Sequence, residues 1–522
     1  MDISRRCLAA ALGAAAAAGL LAGCATPAAR PGAAAVEPRP PPADETALLR
    51  AANRLTWGAD SEAMAQLRSA GLERWLDAQL HPARAVLPGE VQQRIDALTI
   101  SRRPLLELAR QMAEQRRQAA ALADDEAKKA ALAEWQRAMT GLAREAQARA
   151  LLRALYSPNQ IQEQMTWFWM NHFNVFQFKG DIRATVGDYE ERAIRPRALG
   201  RFRALLGAVA HHPAMLVYLD NVRNAAGRIN ENYAREIMEL HTMGVGSGYT
   251  QQDVQQLARI MTGVGVAYRA EEPRLPPRLA PYYVRRGAFE FDPRRHDFGP
   301  KVFLGAPIER HGLAEYDEAL DRIARAPATA RFIAGKLALY WMSDNPPPAL
   351  VERMAATFAR SDGDIAATLR TLLAAPEFAQ AADGKFKDPM RYVVSAVRLA
   401  YDGRTILNAA PMINWLARMG EPLYGRQTPD GYPLAGADWA SSGQMQTRFE
   451  IARTLGGSAA GLFRAEDAQP TEQGAFPQLG GALYYEAMVH TLGPATRQAL
   501  AQAASPQEWN MLLLASPEFM RR

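Results

Sequence analysis

The sequence predicts a mainly α protein: a large multi-helix globular body carrying one small inserted β-hairpin. Three observations point there. The chain has 522 residues, 48% of them hydrophobic, and the part beyond an N-terminal leader is roughly 480 residues long, enough for a large core. Apolar residues recur at helical spacing along most of that length. Alternation of period two is confined to short runs between residues 282 and 304, as short strands require.

Residues 1–23 read as a signal peptide. Ser4-Arg5-Arg6 precedes an Ala-rich run that ends at Leu21-Ala22-Gly23-Cys24, the order of basic start, short apolar stretch and small residues at the cut site. The run is too short for a membrane-spanning helix. Leu-Ala-Gly-Cys is a lipobox, so Cys24 is expected to become the lipidated first residue and to hold the protein at a membrane. The Arg pair with a weakly hydrophobic run leans towards twin-arginine export, with the general secretory route as the alternative. Ala25, where Asp would retain a lipoprotein at the inner membrane, favours the outer membrane. The only other cysteine, Cys7, leaves with the signal. Cysteine-based zinc sites, iron–sulfur clusters and thiol nucleophiles are thereby excluded from the mature chain. Residues 24–43 are Pro/Ala-rich and form a semi-extended tether, and residues 44–522 form a single helical domain.

Along the body, residues 47–80 read as helices interrupted near Gly58 and Gly71. The Ala/Arg/Glu/Gln-rich region 108–155 is expected to be a protruding helical hairpin broken at Asp124-Asp125, its charges forming a solvated face. Trp167, Phe168, Trp169, His172 and Phe173 make the run from Ile161 the central buried helix. Residues 187–210 continue as helix around Pro196. A β insertion over 268–305 follows, with strands at Tyr282-Tyr283-Val284, Ala288 to Phe291 and Lys301 to Leu304. Helices return from 312, broken at Pro346-Pro347-Pro348, and residues 421–443 form a structured loop. The net charge of +6 comes without basic runs interleaved with aromatics, so a nucleic acid partner is not expected.

Residues 215–263 carry the densest polar chemistry. Asp220, Asn221, Asn224, Asn230, Glu231, Asn232, Arg235, Glu236, Glu239 and His241 crowd two helical patterns and the turn between them. Positions four apart share a helix face, so Glu231, Arg235 and Glu239 form one ion-paired stripe. Such a stripe serves a structural ladder as well as a site, and it is expected to be largely buried. Gly244 to Gly248 follow a helix rather than a strand, which fails the dinucleotide context; they read as a helix end and turn, with Thr250 capping the next helix and Asp253 at its third position. His172, His241 and His296 lie in three separate segments and, with Asp220, Asp297 or a focal Glu, offer a His/carboxylate metal site for zinc or iron. Each taken singly reads as a hydrogen-bonded core histidine.

The run NENYAREIMELHTMGVGSGYTQQDVQQLARIMTG resembles the signature of the bacterial domain of unknown function 1800 family. Supporting segments are ANRLTWGADSEAMAQL, TWFWMNHFNVF, MLVYLDNVRN, RRHDFGPKVFLG and MGEPLYGRQTPDGYPLAGADW, spanning roughly residues 47 to 520. The resemblance implies a secreted or envelope protein, with a sulfatase-like protein of the domain of unknown function 1501 family as a possible partner. It implies no reaction and no cofactor. One departure is GVGSGYT, where the family more often carries an acidic residue, which counts against cation binding at that turn.

Three functions fit these residues. An envelope hydrolase acting on a glycan or other polymer would use Asp220, Glu231, Arg235, Glu236 and His241 as its catalytic set, carboxylate pairs being the chemistry of glycoside hydrolysis. A non-enzymatic envelope assembly or binding lipoprotein would use the same residues to lock helices. A metal-binding protein exported folded would use His172, His241 and His296. A solvent-reachable cleft where these side chains converge separates the first from the second.

Overall fold

The computed structural model describes residues 43–381, 384–464 and 476–522, all within one compact unit, Pro40–Arg522. The expected signal peptide, Cys24 with its expected lipid, and the expected tether up to Pro42 lie outside the described residues.

The described body is mainly helical, as the sequence predicts. Three helices open it: Ala43–Leu55, Ser61–Ala70 and Leu72–Leu80. Asp60 starts the second by accepting the Ala63 N–H at 2.8 Å. Gly71, at φ +76°, separates the second from the third. The left-handed backbone there suits glycine, which has no Cβ to clash.

Helix Gln160–His172 is the centre of the molecule. Phe168, Trp169 and His172 are buried along it, and Trp169 donates its indole N–H to the Ala198 carbonyl at 2.9 Å. Beyond it the chain runs through helix Ile182–Asp188 into a π-helical turn, Tyr189–Ile194, and a 3₁₀ turn, Arg195–Arg197. The expected helix over 187–210 is thus broken by a π turn as well as by Pro196, and it resumes only at Phe202–Ala210. The wider turn serves a buried charge cluster. Arg195 pairs with Glu163, with Glu190 at 2.7 Å and with Glu191 at 3.2 Å, and Arg153 reaches Glu191 at 2.6 Å. Burial pushes the Glu190 carboxyl up to about 7, although Tyr424 donates to it at 2.5 Å.

Helices Leu105–Ala121 and Asp125–Tyr156 form the expected hairpin, joined at 122–124. Only its distal part projects. Leu108, Met112, Trp135, Met139 and Leu142 make a small apolar cluster with Ala184. Nearer the body, Leu151, Leu152 and Leu155 belong to the main core, and Gln147 donates to the Leu423 carbonyl at 3.1 Å. Solvation is therefore a property of the tip and not of the whole region 108–155.

The β element also differs from a single hairpin. Strands β1 (Val264–Val266), β2 (Val284–Arg286) and β3 (Phe289–Phe291) form an antiparallel sheet in the order β1-β3-β2, with Val264 opposite Phe291. A second ribbon pairs β4 (Val302–Phe303) with β5 (Ala306–Pro307). The β region therefore begins at 264 and ends at 307, because β1 comes directly after helix Gln251–Ile260 and pairs with β3.

Candidate functional site

Most amides of the focal stretch hold irregular backbone in place. Asn221 donates to the Val264 carbonyl at 2.8 Å, Asn224 to that of Ala258 at 2.8 Å, Asn230 to that of Asp220 at 3.3 Å and Asn232 to that of Leu219 at 3.1 Å. Asn230 and Asn232 thus satisfy carbonyls of the irregular chain between helices Pro213–Tyr218 and Asn232–Glu239, while Asn221 and Asn224 tie that chain to strand β1 and to the end of helix Gln251–Ile260. Asp220 sits at φ +60° and accepts Lys179 at 2.7 Å. Thr250 and Asp253 form the expected reciprocal cap at the start of Gln251–Ile260.

The stripe of Glu231, Arg235 and Glu239 forms, at 3.2 and 3.3 Å, and Gln251 bridges it by donating to Glu231 at 2.8 Å. Its burial is another matter. The three side chains are 31%, 38% and 23% exposed. Pairs this open contribute ~0–1 kcal/mol, not the ~3–5 kcal/mol expected on breaking a buried pair. Tyr233, Ile237 and Met238 take the inward face instead.

The three histidines do not assemble. His172 and His241 are buried neighbours, their rings 5.9 Å apart, and His172 Nε2 donates to the His241 carbonyl at 2.9 Å. His296 belongs to a separate buried cluster, facing Glu315 at 3.1 Å, while Lys301 pairs with the other Glu315 oxygen at 2.7 Å. Among the described residues, no three His, Cys, Asp or Glu side chains are grouped to hold a metal ion.

A different polar centre does assemble, around His241. The loop after Tyr424 is bolted to the C-terminal end of Gln160–His172. Asn174 donates to the Arg426 and Thr428 carbonyls, both at 2.9 Å, and Asn171 exchanges hydrogen bonds with the Tyr432 backbone at 3.0 and 2.6 Å. Gly431, at φ +77°, lies so close to the Asn171 carbonyl that a Cβ would sit 2.2 Å from it. Tyr218 donates to the Gln427 carbonyl at 2.8 Å. This fixes Asp430, exposed at the surface and paired with Arg426, where its charge acts on Lys336 of helix Pro327–Trp341 and on Glu236 of helix Asn232–Glu239.

Burial sets the protonation of this centre. It holds the Lys336 amine down to about 8, against the opposing pull of Asp430. It raises the Glu236 carboxyl, with the Glu239 charge adding to the effect. His241 is driven down to about 3 by burial and then by the Lys336 charge, while it bonds the Pro429 carbonyl. His172 is also held well below the ordinary imidazole range, by burial first and then by the Lys336 charge and by His241. Both imidazoles are neutral, and His172 Nδ1 and His241 Nε2 have no hydrogen-bond partner among the described residues.

Sequence reading singled out Glu236, His241 and His172 but missed Lys336, Asp430 and Tyr218. The available signal for Lys336 was a lone cation in the run FIAGKLALYW. A cavity of about 280 Å³ lies elsewhere, between the start of Ser61–Ala70 and residues 397–405, and none of the expected site residues lines it.

Fold and site together define a mainly α protein in which polar residues from segments far apart in sequence meet at the end of one buried aromatic helix. The family described as "Protein of unknown function (DUF1800)" matches residues 50–521, and the chain belongs to that family. No curated protein and no solved structure matches it.

Proposed function

We propose that the protein is a lipid-anchored envelope hydrolase whose site is the Glu236–Lys336 centre. The observation that carries this reading is the loop around Asp430, anchored by Asn171, Asn174 and Tyr218, whose charge acts on two buried or half-buried groups, the Glu236 carboxyl that burial raises and the Lys336 amine that burial lowers to about 8. A carboxyl raised and an amine lowered are the shifts that suit a general base and a general acid. Glu236 takes a proton from the attacking water. The Lys336 ammonium gives its proton to the leaving oxygen. Asp430 and Glu236 lie open to solvent or half-buried, which suits a polymer laid across a face better than a small molecule enclosed in a pocket.

The test is release of soluble fragments from isolated envelope polymer by the full chain. Glu236→Gln and Lys336→Met should each lower release by about 10²-fold or more while the melting temperature holds. Activity should fall above pH 8 as Lys336 loses its proton, and fall in acid as Glu236 gains one. Absence of release, or variants as active as the parent, refutes the reading. Polymer binding without turnover would instead support an assembly or binding lipoprotein, a reading favoured by the use of Asn221, Asn224, Asn230 and Asn232 to hold backbone.

A further inference from the structure

The segment ANRLTWGADSEAMAQL, one of those on which the family resemblance rests, contributes nothing to the Glu236–Lys336 centre. Its residues line a different place. Thr56, Asp60 and Gln66 form one side of the 280 Å³ cavity, and Tyr401, Asp402 and Arg404 form the facing side. The volume is at the small end of the ~300–1,000 Å³ of small-ligand sites, room for one ring-sized unit.

The floor is rigid. Arg398 is buried and donates to the Gly58 carbonyl at 3.0 Å and to the Leu155 carbonyl, and it pairs with Asp60. Asp60 is further held by capping Ser61–Ala70. The walls are aromatic. Trp75 is 4% exposed. Tyr156 has its hydroxyl engaged, donating to the Arg404 carbonyl at 3.1 Å and accepting from the Ile406 N–H at 2.8 Å, so it presents a ring. Arg404 is likewise held, stacked 4.4 Å from the Phe463 ring centroid.

Against this frame two polar groups stand out. The Tyr401 side chain is 4% exposed, lines the cavity, and has no hydrogen-bond partner for its hydroxyl among the described residues. Buried hydroxyls are normally bonded, and none of the described residues around Tyr401 does this. Asp402 engages one carboxylate oxygen with Ser61, at 2.9 Å to its N–H. Its other oxygen faces no donor among the described residues. A donor–acceptor hydroxyl beside a carboxylate acceptor, between aromatic walls, matches a ligand with hydroxyl groups on its edges and C–H groups on its faces.

Charge narrows the class. The lining carries three carboxylates, Asp60, Glu62 and Asp402, and two guanidiniums, Arg398 and Arg404. The slight negative excess disfavours phosphates and acidic sugars, and the fixed Arg398 disfavours cations.

We propose that this cavity binds one uncharged sugar unit of a glycan, with Tyr401 and Asp402 bonding its hydroxyls and Trp75 and Tyr156 enclosing its faces. The site is independent of the Glu236–Lys336 centre, since none of that centre's residues lines it.

The test is ligand-detected saturation-transfer NMR on the purified full chain, with N,N′-diacetylchitobiose and maltotriose as probes, and inorganic phosphate and putrescine as charged competitors. At least one sugar should bind. Tyr401→Phe, which removes a single oxygen, should weaken binding about tenfold at an unchanged melting temperature, and Asp402→Asn should weaken it too. Glu236→Gln should bind like the parent. The proposal fails if neither sugar shows transfer, if Tyr401→Phe binds as well as the parent, if phosphate or putrescine displaces the sugar, or if Glu236→Gln abolishes binding.

Discussion

His241 and Glu190 show how burial writes opposite signs into one molecule. His241 titrates near 3 when folded and near 6.5 when unfolded. Below pH 6.5 the unfolded chain therefore binds a proton that the native one refuses, and stability falls as pH drops from 6.5 towards 3. His172 works in the same direction. Glu190, raised to about 7, works against them, because the native state binds its proton first. The two trends overlap, so the effect of His241 is read by difference. In urea unfolding, the stability advantage of the parent over His241→Asn should narrow by about 1.4 kcal/mol for each pH unit below 6.5. A gap that stays constant between pH 7 and pH 4.5 would show that His241 is not held neutral. Residue spacing made the Glu231–Arg235–Glu239 stripe legible, since four-residue steps fix a shared face. They do not say which face meets the core, and that is why its burial was misjudged. Lys336 and Asp430 were illegible for another reason: their partnership joins residues almost a hundred positions apart, and no local pattern records it.

At the level of elements, strong periodic signals translated into structure and weak ones did not. The aromatic run from Ile161 became the central helix because large apolar side chains leave no doubt about burial. The hairpin Leu105–Ala121 and Asp125–Tyr156 was legible as two helices, but its alanines hid where solvent ends. Ala143, Ala146 and Ala154 are buried just as Leu151 and Leu155 are, and alanine is equally at home on either side. Strand β1 was missed because three residues, Val264–Val266, cannot show alternation; pairing with β3 creates it. The division of the hairpin gives a sharp expectation. Replacing residues 117–132 with a short Gly/Ser turn removes mostly exposed side chains and should leave one cooperative thermal transition. Removing 108–150 takes away Met139, Leu142 and the Gln147 bond to Leu423 and should leave no soluble folded protein. Equal tolerance of both deletions would mean that the inner half of the long helix does not belong to the core.

For the whole molecule, the open question is what holds it at its place of work. Among the described residues, no helix is long and apolar enough to cross a membrane. The proposal places attachment on Cys24, at the end of Leu21-Ala22-Gly23, with the Pro/Ala-rich stretch as the tether between lipid and body. Acyl chains bind a bilayer in proportion to their buried CH₂ groups, about 0.8 kcal/mol each, so losing the thiol that carries them should release the protein outright rather than weaken its attachment by degrees. In cell fractionation, Cys24→Ala should move the protein from the membrane pellet to a soluble or unprocessed form. Cys7→Ala, within the expected signal, should leave both processing and fractionation unchanged. Envelope polymer is insoluble and fixed in place, and a hydrolase of such a substrate needs tethered reach more than free diffusion. The same Cys24→Ala chain, purified, should therefore keep its activity on isolated polymer while losing its effect in the cell. If it stays in the membrane pellet as the fully processed species, the lipid anchor is refuted and attachment must come from the body itself.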